Sequence, residues 1–310
     1  MRAVRLHGNS GPESLIYEDA PKPQLRDDQI LIRVHATAVT PTEFEWYPTF
    51  HTPDGGARPF PIILGHEFSG VVAAVGGLSS EVRPGDLVYG LNDWYADGAQ
   101  AEYCVTVEAA VAPKPVTLDH AQAAAVPISA LTAWQTLVDH AHLSKGQRIL
   151  IHGGAGGVGN FAVQLARYMK AYVIATASTS NAEFVKSRGA DEVIEYRKTP
   201  FERTVWDVDV VLDTVGGITR DRSWDVLKPG GRLITVAADA EGMKQQRVRD
   251  AFIIVEPNRS QLIAIGQLLD RGIIHPTLGG IFSMRDARKA YRQRPLRGKN
   301  VLRIADERAR

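Results

Sequence analysis

Residues 149–166 are the segment that most limits how this chain can fold. An apolar run at Ile149, Leu150 and Ile151 leads into the pattern Gly154-x-Gly156-x-x-Gly159. Apolar residues then recur with the 3.6-residue period of one helix face, at positions 158, 161, 162, 165 and 169. A strand, a glycine turn and a helix in this order form the context in which such a turn binds a dinucleotide. The segment therefore predicts the first βαβ unit of a nucleotide-binding domain.

The glycines and the helix start have separate physical roles in this prediction. Gly154 permits the tight turn, Gly156 lets the backbone approach a pyrophosphate, and Gly159 lets the helix pack close to its strand. The helix then presents unpaired N–H groups and the positive end of its dipole to the phosphates. We therefore expect Gly154, Gly156 and Gly159 to belong to a cofactor site.

Composition excludes several other classes of protein. The 310 residues suffice for two domains, and a net charge of +1 without a basic run argues against nucleic acid as a partner. No signal-peptide pattern opens the sequence, and no apolar run reaches the length of a membrane span, about 18 residues. Cys104 is the single cysteine, which excludes an internal disulfide and a multi-cysteine zinc site. We expect a cytoplasmic protein that does not bind membranes.

The hydrophobic pattern changes along the chain. Short β patterns fill the first 115 residues, and an alanine-rich helical stretch at 119–142 is interrupted at Pro127. Strands and helices alternate from 147 onward, which predicts βαβ units and a parallel sheet covered on both faces. The predicted strands are 149–152, 172–175, 192–195, 208–212 and 232–236, with a further β run at 251–255. The predicted helices are 157–170, 181–188, 220–227 and 258–271.

The residues after the second predicted strand bear on which dinucleotide is bound. In NAD-binding domains of this type, an acidic residue about twenty positions beyond the first glycine binds the ribose hydroxyls. The window 174–181 contains no Asp or Glu, which favours NADPH over NADH. Tyr196 and Arg197 follow the next predicted strand, where a phenol and a guanidinium would suit a 2′-phosphate. The alternative for Arg197 is a solvated loop charge.

Several motifs in order resemble one family over nearly the whole chain. It is similar to the medium-chain dehydrogenase/reductase superfamily, in the zinc-free quinone oxidoreductase (zeta-crystallin-like) branch. The motifs that carry the resemblance are Gly65-His-Glu-Phe-Ser-Gly-Val-Val, Val82-Arg-Pro-Gly-Asp-Leu-Val-Tyr-Gly, Ala124-Ala-Val-Pro-Ile-Ser-Ala-Leu-Thr-Ala-Trp, Gly153-Gly-Ala-Gly-Gly-Val-Gly, Gly189-Ala-Asp-Glu-Val-Ile, Asp213-Thr-Val-Gly-Gly and Arg297-Gly-Lys.

The resemblance implies an α/β fold with two domains and a cleft between them. A GroES-like β domain is expected at 1–118 and 258–310. A Rossmann domain with a doubly wound parallel sheet, which binds NADP, is expected at 119–257. The resemblance also implies a homodimer or homotetramer, in which the strand near 252–255 pairs across a dimer axis.

The resemblance also assigns roles to individual residues. Gly156, Gly157, Val158 and Gly159 are expected to face the pyrophosphate. Thr132 is expected near the nicotinamide ribose, and Val215 beneath the nicotinamide ring. Ser178 and Tyr196 are expected around the 2′-phosphate. Relatives often carry a Lys or Arg near position 182, but this chain has Asn181-Ala182, which argues against NADPH unless Arg197 or Lys186 substitutes.

The metal ligands of zinc-dependent relatives are mostly missing. Gly65-His66-Glu67 retains one plausible ligand, but Thr40 takes the place of the first cysteine, and 127–129 offers no later ligand. One imidazole and a nearby acid do not make the three-ligand platform of catalytic zinc. We therefore expect no metal. Thr40, at a position often occupied by Asn in zinc-free relatives, and Tyr47, a proton donor beside Trp46, are the candidate catalytic residues.

These inferences lead to one function and two alternatives. The expected function is metal-free hydride transfer from NADPH to a small electrophilic acceptor, either a quinone or an α,β-unsaturated carbonyl. Such acceptors delocalise the incoming charge onto oxygen, so the protein has mainly to position the reactants. The alternatives are a zinc-dependent alcohol dehydrogenase that uses His66 and Glu67, and a non-catalytic NADPH-binding redox sensor.

Overall fold

A computed structural model of the protein describes residues 1–78 and 81–304. Its strands are β1 (Arg2–Leu6), β2 (Leu15–Asp19), β3 (Ile30–Val39), β4 (Ile62–Ile63), β5 (Glu67–Val75), β6 (Leu87–Leu91), β7 (Tyr103–Thr106), β8 (Val111–Pro113), β9 (Arg148–Ile151), β10 (Tyr172–Ala177), β11 (Glu192–Glu195), β12 (Val208–Asp213), β13 (Leu227–Thr235), β14 (Leu278–Ser283) and β15 (Lys299–Arg303). Its α-helices are α1 (Tyr47–Phe50), α2 (His120–Ala124), α3 (Pro127–Trp134), α4 (Gly157–Tyr168), α5 (Ala182–Ser187), α6 (Gly217–Ser223), α7 (Gln246–Ala251), α8 (Arg259–Asp270) and α9 (Ala287–Arg292). Within those described ranges, no helix has the length and apolar character needed to cross a membrane.

The first and last parts of the chain build one sheet together. Its order is β14-β15-β3-β5-β6-β8, and β7 also pairs with β3. Ile30, Ile32 and Val34 alternate along β3 and are buried in one apolar cluster, as expected for a strand with one core face. β15 runs antiparallel to β3, so the chain returns at its end to the sheet that it began. The small sheet β2-β1-β4 completes the GroES-like domain.

A five-stranded parallel sheet forms the second domain, in the order β11-β10-β9-β12-β13. Ile149 and Ile151 of β9 pack into one apolar cluster, whereas Leu150 between them packs into another. Successive strand residues point to opposite faces, so both faces of this sheet are buried. The α/β fold with GroES-like and Rossmann domains is therefore confirmed. The exact boundaries at 118 and 257 stay predictions.

The glycine turn between β9 and α4 differs in one detail from the prediction. Gly153 has a φ of +71°, so Gly153 rather than Gly154 adopts the left-handed conformation that makes the sharp turn. A Cβ at Gly154 would instead lie 3.0 Å from Cγ1 of Val185. A Cβ at Gly159 would lie 2.2 Å from the carbonyl oxygen of Gly153, which is close backbone packing of the expected kind.

Two predicted elements after position 215 are placed differently. The helix expected at 220–227 is α6, which ends at Ser223, and β13 already begins at Leu227. The β run expected at 251–255 begins inside a helix, because Ala251 is the last residue of α7. Among the described residues, the sheet continues beyond β13 through a single bridge between Phe252 and Thr235. A short apolar run does not distinguish a strand from the end of a buried helix, which explains the difference.

We expect Gly159→Ala to lower the free energy of unfolding by about 1–3 kcal/mol, because the added methyl group overlaps the Gly153 carbonyl oxygen. Gly266→Ala in α8 is the matched control: its Cβ would lie 3.4 Å from the Tyr89 hydroxyl oxygen, an ordinary contact. Alanine gains up to about 1 kcal/mol of helix propensity there. Urea unfolding of both variants measures the difference, and equal losses would contradict the packing argument.

A buried histidine makes stability depend on pH. His152 Nε2 lies 2.9 Å from Ser223 Oγ, which already donates its proton to the Thr219 carbonyl, so Nε2–H is the donor in a neutral imidazole. Burial lowers the pKa of His152 to about 4, opposed by Asp213 and Glu202. The unfolded chain binds this proton near pH 6.5, so stability is complete above that pH and is lost as pH falls toward 4.

The amide of His152→Gln can replace the hydrogen bonds to Thr176 and Ser223 but does not titrate. We therefore expect the free energy of unfolding of this variant to fall by about 2 kcal/mol less than that of the unmodified protein between pH 7 and pH 5. Urea unfolding of both proteins at the two pH values measures this difference. Identical pH dependence in the two proteins would show that another group is responsible.

Candidate functional site

A cavity of about 450 Å³ lies between the two domains. The GroES-like domain contributes aromatic and hydroxyl side chains, and the parallel-sheet domain contributes the glycine turn. Its lining includes Thr40, Trp46, Trp94, Tyr95, Ser129, Thr132, Gly156, Gly157, Val158, Gly159, Thr214, Phe252, Ile253, Ile254, Gly298 and Lys299. A cavity that joins a phosphate-type turn to apolar side chains suits a dinucleotide together with a flat organic acceptor.

The turn at the start of α4 fits a dinucleotide phosphate. Gly156 is the N-cap residue of this twelve-residue helix, and no side chain caps the helix N-terminus. A Cβ at Gly157 would lie 2.8 Å from Ser129 Oγ and 3.0 Å from Lys299 Cγ, so a larger residue would fill the space at the helix start. Ser129 Oγ is buried and has no hydrogen-bond partner among the described residues. The uncapped N–H groups at the start of α4 and the Ser129 hydroxyl can donate hydrogen bonds to a pyrophosphate.

A buried ion pair supplies a cation beside the turn. Lys299 Nζ pairs with Glu67 Oε1, and the N–H of Ile128 donates to Glu67 Oε2 over 2.9 Å. Burial raises the pKa of the Glu67 carboxyl, and the Lys299 ammonium opposes that shift. Sequence reasoning did not assign Lys299 to the site, although it belongs to the terminal Arg-Gly-Lys motif.

His66 is surrounded by a closed hydrogen-bond network. Its Nδ1 lies 2.8 Å from Glu43 Oε1, and its Nε2 lies 3.0 Å from the carbonyl oxygen of Trp94. The Gly65 N–H and the Tyr291 hydroxyl also donate to the Glu43 carboxylate. Both ring nitrogens of His66 are therefore engaged. Within residues 1–78 and 81–304, no group of three His, Cys, Asp or Glu side chains has the geometry to hold a metal ion.

The aromatic wall of the cavity differs from the one expected. Trp46 and Trp94 line the cavity with ring centroids 5.4 Å apart, and their planes meet edge to face. His66 stacks on Trp94 from the interior of the protein. Tyr47 is not part of the lining: its ring stacks on His51 at 4.0 Å and is 43% exposed. Sequence reasoning missed Trp94, because only the fold brings this residue next to Trp46.

Thr40 and Thr132 are brought to the cavity, but Val215 is not. The Thr132 hydroxyl donates to the Ile128 carbonyl over 2.6 Å within α3. The Thr40 side chain caps no helix and lines the cavity. The side chain of Val215 is 55% exposed, while its N–H donates to Asp213. Its neighbour Thr214 lines the cavity instead.

The residues expected around a 2′-phosphate lie outside the cavity lining. Ser178 follows β10 directly, and its Oγ lies 3.0 Å from Ser180 Oγ. Tyr196 follows β11, is half exposed, and has the Arg197 guanidinium 5.7 Å from its ring centroid. β10 and β11 are parallel neighbours, so their carboxyl ends bring these residues to the same sheet edge. Gly154 packs against Val185 and does not line the cavity.

The chain matches known families and proteins over both domains. Residues 26–116 match the family described as alcohol dehydrogenase GroES-like domain, and residues 188–302 match the family described as zinc-binding dehydrogenase. The NADPH-dependent alkenal/one oxidoreductase of Arabidopsis thaliana is 34% identical over 83% of this chain and 66% of that protein. The quinone oxidoreductase of Pongo abelii is 33% identical over 77% of this chain and 73% of that protein.

A solved structure agrees with these sequence matches over nearly the full length. The quinone oxidoreductase from Coxiella burnetii superposes with a TM-score of 0.89 at 30% identity, over 98% of this chain and 99% of that chain. The two-domain fold and the glycine turn between β9 and α4 therefore point to the same family as the sequence matches. The chain belongs to the medium-chain dehydrogenase/reductase superfamily, in its quinone oxidoreductase branch, and is an enzyme of the oxidoreductase class.

Proposed function

We propose that this protein is an NADPH-dependent reductase of quinones or α,β-unsaturated carbonyls that works without a metal ion. The observation that carries the proposal is that one and the same cavity is lined both by the glycine turn and by an aromatic wall. The names of the two relatives, a quinone oxidoreductase and an alkenal/one oxidoreductase, support the same acceptor classes.

The preference for NADPH rests on the acid-free turn after β10. When bound, NADPH supplies a hydride from its nicotinamide ring. Ser178 and Tyr196 lie at the same sheet edge without an acidic residue in the window 174–181, so a 2′-phosphate meets no carboxylate from that window. Glu195, at the end of β11, is already paired with Lys198 over 2.7 Å.

The chain's own residues provide positioning and hydrogen bonds. Trp46 and Trp94 offer flat apolar faces that exclude water from a planar acceptor. Thr40 lines the same cavity, and its hydroxyl can donate a hydrogen bond to the acceptor oxygen as negative charge develops there. The engaged nitrogens of His66 support the metal-free part of the proposal, because zinc binding requires a free imidazole nitrogen.

The free edge next to β13 supports a proposal about assembly. Residues 252–255 continue the parallel sheet through one bridge, and Ile254 is 54% exposed. We propose that two copies of the chain pair at this edge, since an exposed apolar edge segment is a template for another strand.

Purified protein should oxidise NADPH with members of a panel of quinones and alkenals, and should bind NADPH about tenfold or more tightly than NADH. Titration calorimetry measures the two dissociation constants, and the loss of NADPH absorbance measures turnover. Tight NADPH binding with no turnover on the whole panel would favour the redox sensor. About one zinc ion per chain together with chelator-sensitive activity would favour the alcohol dehydrogenase.

Thr40→Val should lower kcat for the best acceptor by about tenfold or more, because the isosteric side chain donates no hydrogen bond in the transition state. Tyr47→Phe is the matched comparison: it also removes one hydroxyl, but from a ring outside the cavity lining, so kcat should be unchanged. A larger loss in the Tyr47 variant than in the Thr40 variant would reverse this assignment.

A further inference from the structure

Arg297 lies between two turns that face the nucleotide-binding edge of the sheet. The next residue, Gly298, donates its N–H to the Ala155 carbonyl of the glycine turn over 2.9 Å. Arg297 itself reaches the turn after β10, where Nε donates to Asn181 Oδ1 over 2.9 Å and Nη2 donates to the Ser180 carbonyl over 3.2 Å. The segment 297–298 therefore joins the two backbone segments expected along the length of a dinucleotide, and the Arg297 guanidinium contacts the one after β10.

The position of Arg297 is set by backbone contacts. Gly298 has a φ of +61°, and a Cβ there would lie 1.8 Å from the Thr277 carbonyl oxygen, so only glycine fits. On the other side, Asn181 Nδ2 donates to the Leu296 carbonyl over 3.0 Å. The loop before β15 is thus held on both sides of Arg297.

A second guanidinium contacts the same aromatic ring as Arg297, and neither forms an ion pair with a carboxylate among the described residues. Arg297 lies 4.6 Å and Arg188 lies 5.0 Å from the centroid of the Phe184 ring. Within the described residues, the two guanidinium groups donate hydrogen bonds to Thr277, Asn181 and Ser180, none of which is a carboxylate, and Arg188 Nε is buried without a hydrogen-bond partner. Burial and the neighbouring charge of Arg297 lower the pKa of Arg188.

The charge of Arg297 disfavours the charge of Arg188, and a dianion bound near both would relieve that repulsion. Arg297 uses Nε and Nη2 for protein contacts, so Nη1 keeps its donors for a ligand. The hydroxyls of Ser178 and Ser180 lie on the same turn. Arginine in a fixed orientation binds phosphate more specifically than a flexible ammonium.

We propose that Arg297 is the residue that recognises the 2′-phosphate of NADPH and so sets the preference over NADH. It would supply, from the end of the chain, the charge that Asn181-Ala182 does not provide. This inference rests on the proposed use of NADPH. The competing interpretation is a purely structural role, in which Arg297 only ties the loop before β15 to the turn after β10.

The experiment measures the binding of cofactors and of their fragments to the full-length protein by titration calorimetry. We expect Arg297→Gln to weaken NADPH and adenosine 2′,5′-bisphosphate by about tenfold to a hundredfold, the loss expected for a charged hydrogen bond. NADH and AMP, which lack the 2′-phosphate, should change by less than about threefold. Arg297→Lys, which keeps the charge but not the fork, should be intermediate.

Arg271→Gln is the charge-matched control, because Arg271 is exposed at the end of α8. Equal weakening of phosphorylated and unphosphorylated ligands in the Arg297 variants would overturn the proposal in favour of the structural role. Unchanged binding of both would overturn it as well. Equal affinity of the unmodified protein for NADPH and NADH would instead overturn the cofactor preference on which the inference rests.

Discussion

The buried ion pair between Lys299 and Glu67 joins the parts of the chain that enclose the cavity. Glu67 begins β5, Lys299 begins β15, and Glu67 also accepts the N–H of Ile128 in α3. Each charge loses its hydration, so removing one partner alone typically costs about 3–5 kcal/mol. The stem of Lys299 lies beside Gly157, so this pair aligns the GroES-like sheet with the start of α4. The cavity exists because these segments meet there.

The network around His66 has a different consequence for the same cavity. His66 forms hydrogen bonds through Nδ1 with the Glu43 carboxylate and through Nε2 with the Trp94 carbonyl oxygen. The imidazole therefore fixes the backbone of one residue of the aromatic wall. A residue that zinc-dependent relatives use as a ligand is here part of the protein's own hydrogen-bond network. In the metal-free reaction that we propose, no Lewis acid polarises the acceptor, so selectivity and rate would depend on how Trp46, Trp94 and Thr40 orient it.

Sequence reasoning worked best where neighbouring residues carry the constraint. The glycine turn, the parallel strands and the interruption before α3 follow from backbone sterics and hydrophobic period, both of which act over a few residues. Sequence reasoning was less reliable about which of two adjacent side chains faces the cavity. Trp46 faces the cavity and Tyr47 packs on His51, and Val215 points outward while Thr214 lines the cavity. In each case, contacts from elsewhere in the fold decide which side chain turns inward.

The sequence by itself determined that a dinucleotide-binding unit follows a β domain and that residues 174–181 contain no Asp or Glu. It also determined that the cysteine ligands of a zinc site are missing, because Cys104 is the single cysteine. Tertiary structure alone decided which distant polar side chains meet beside the cavity and at the carboxyl ends of β10 and β11. Glu67 and Lys299 are 232 positions apart, and Asn181 and Arg297 are 116 apart. Local pattern carries no information about such pairs, because their contact depends on β15 returning to pair with β3.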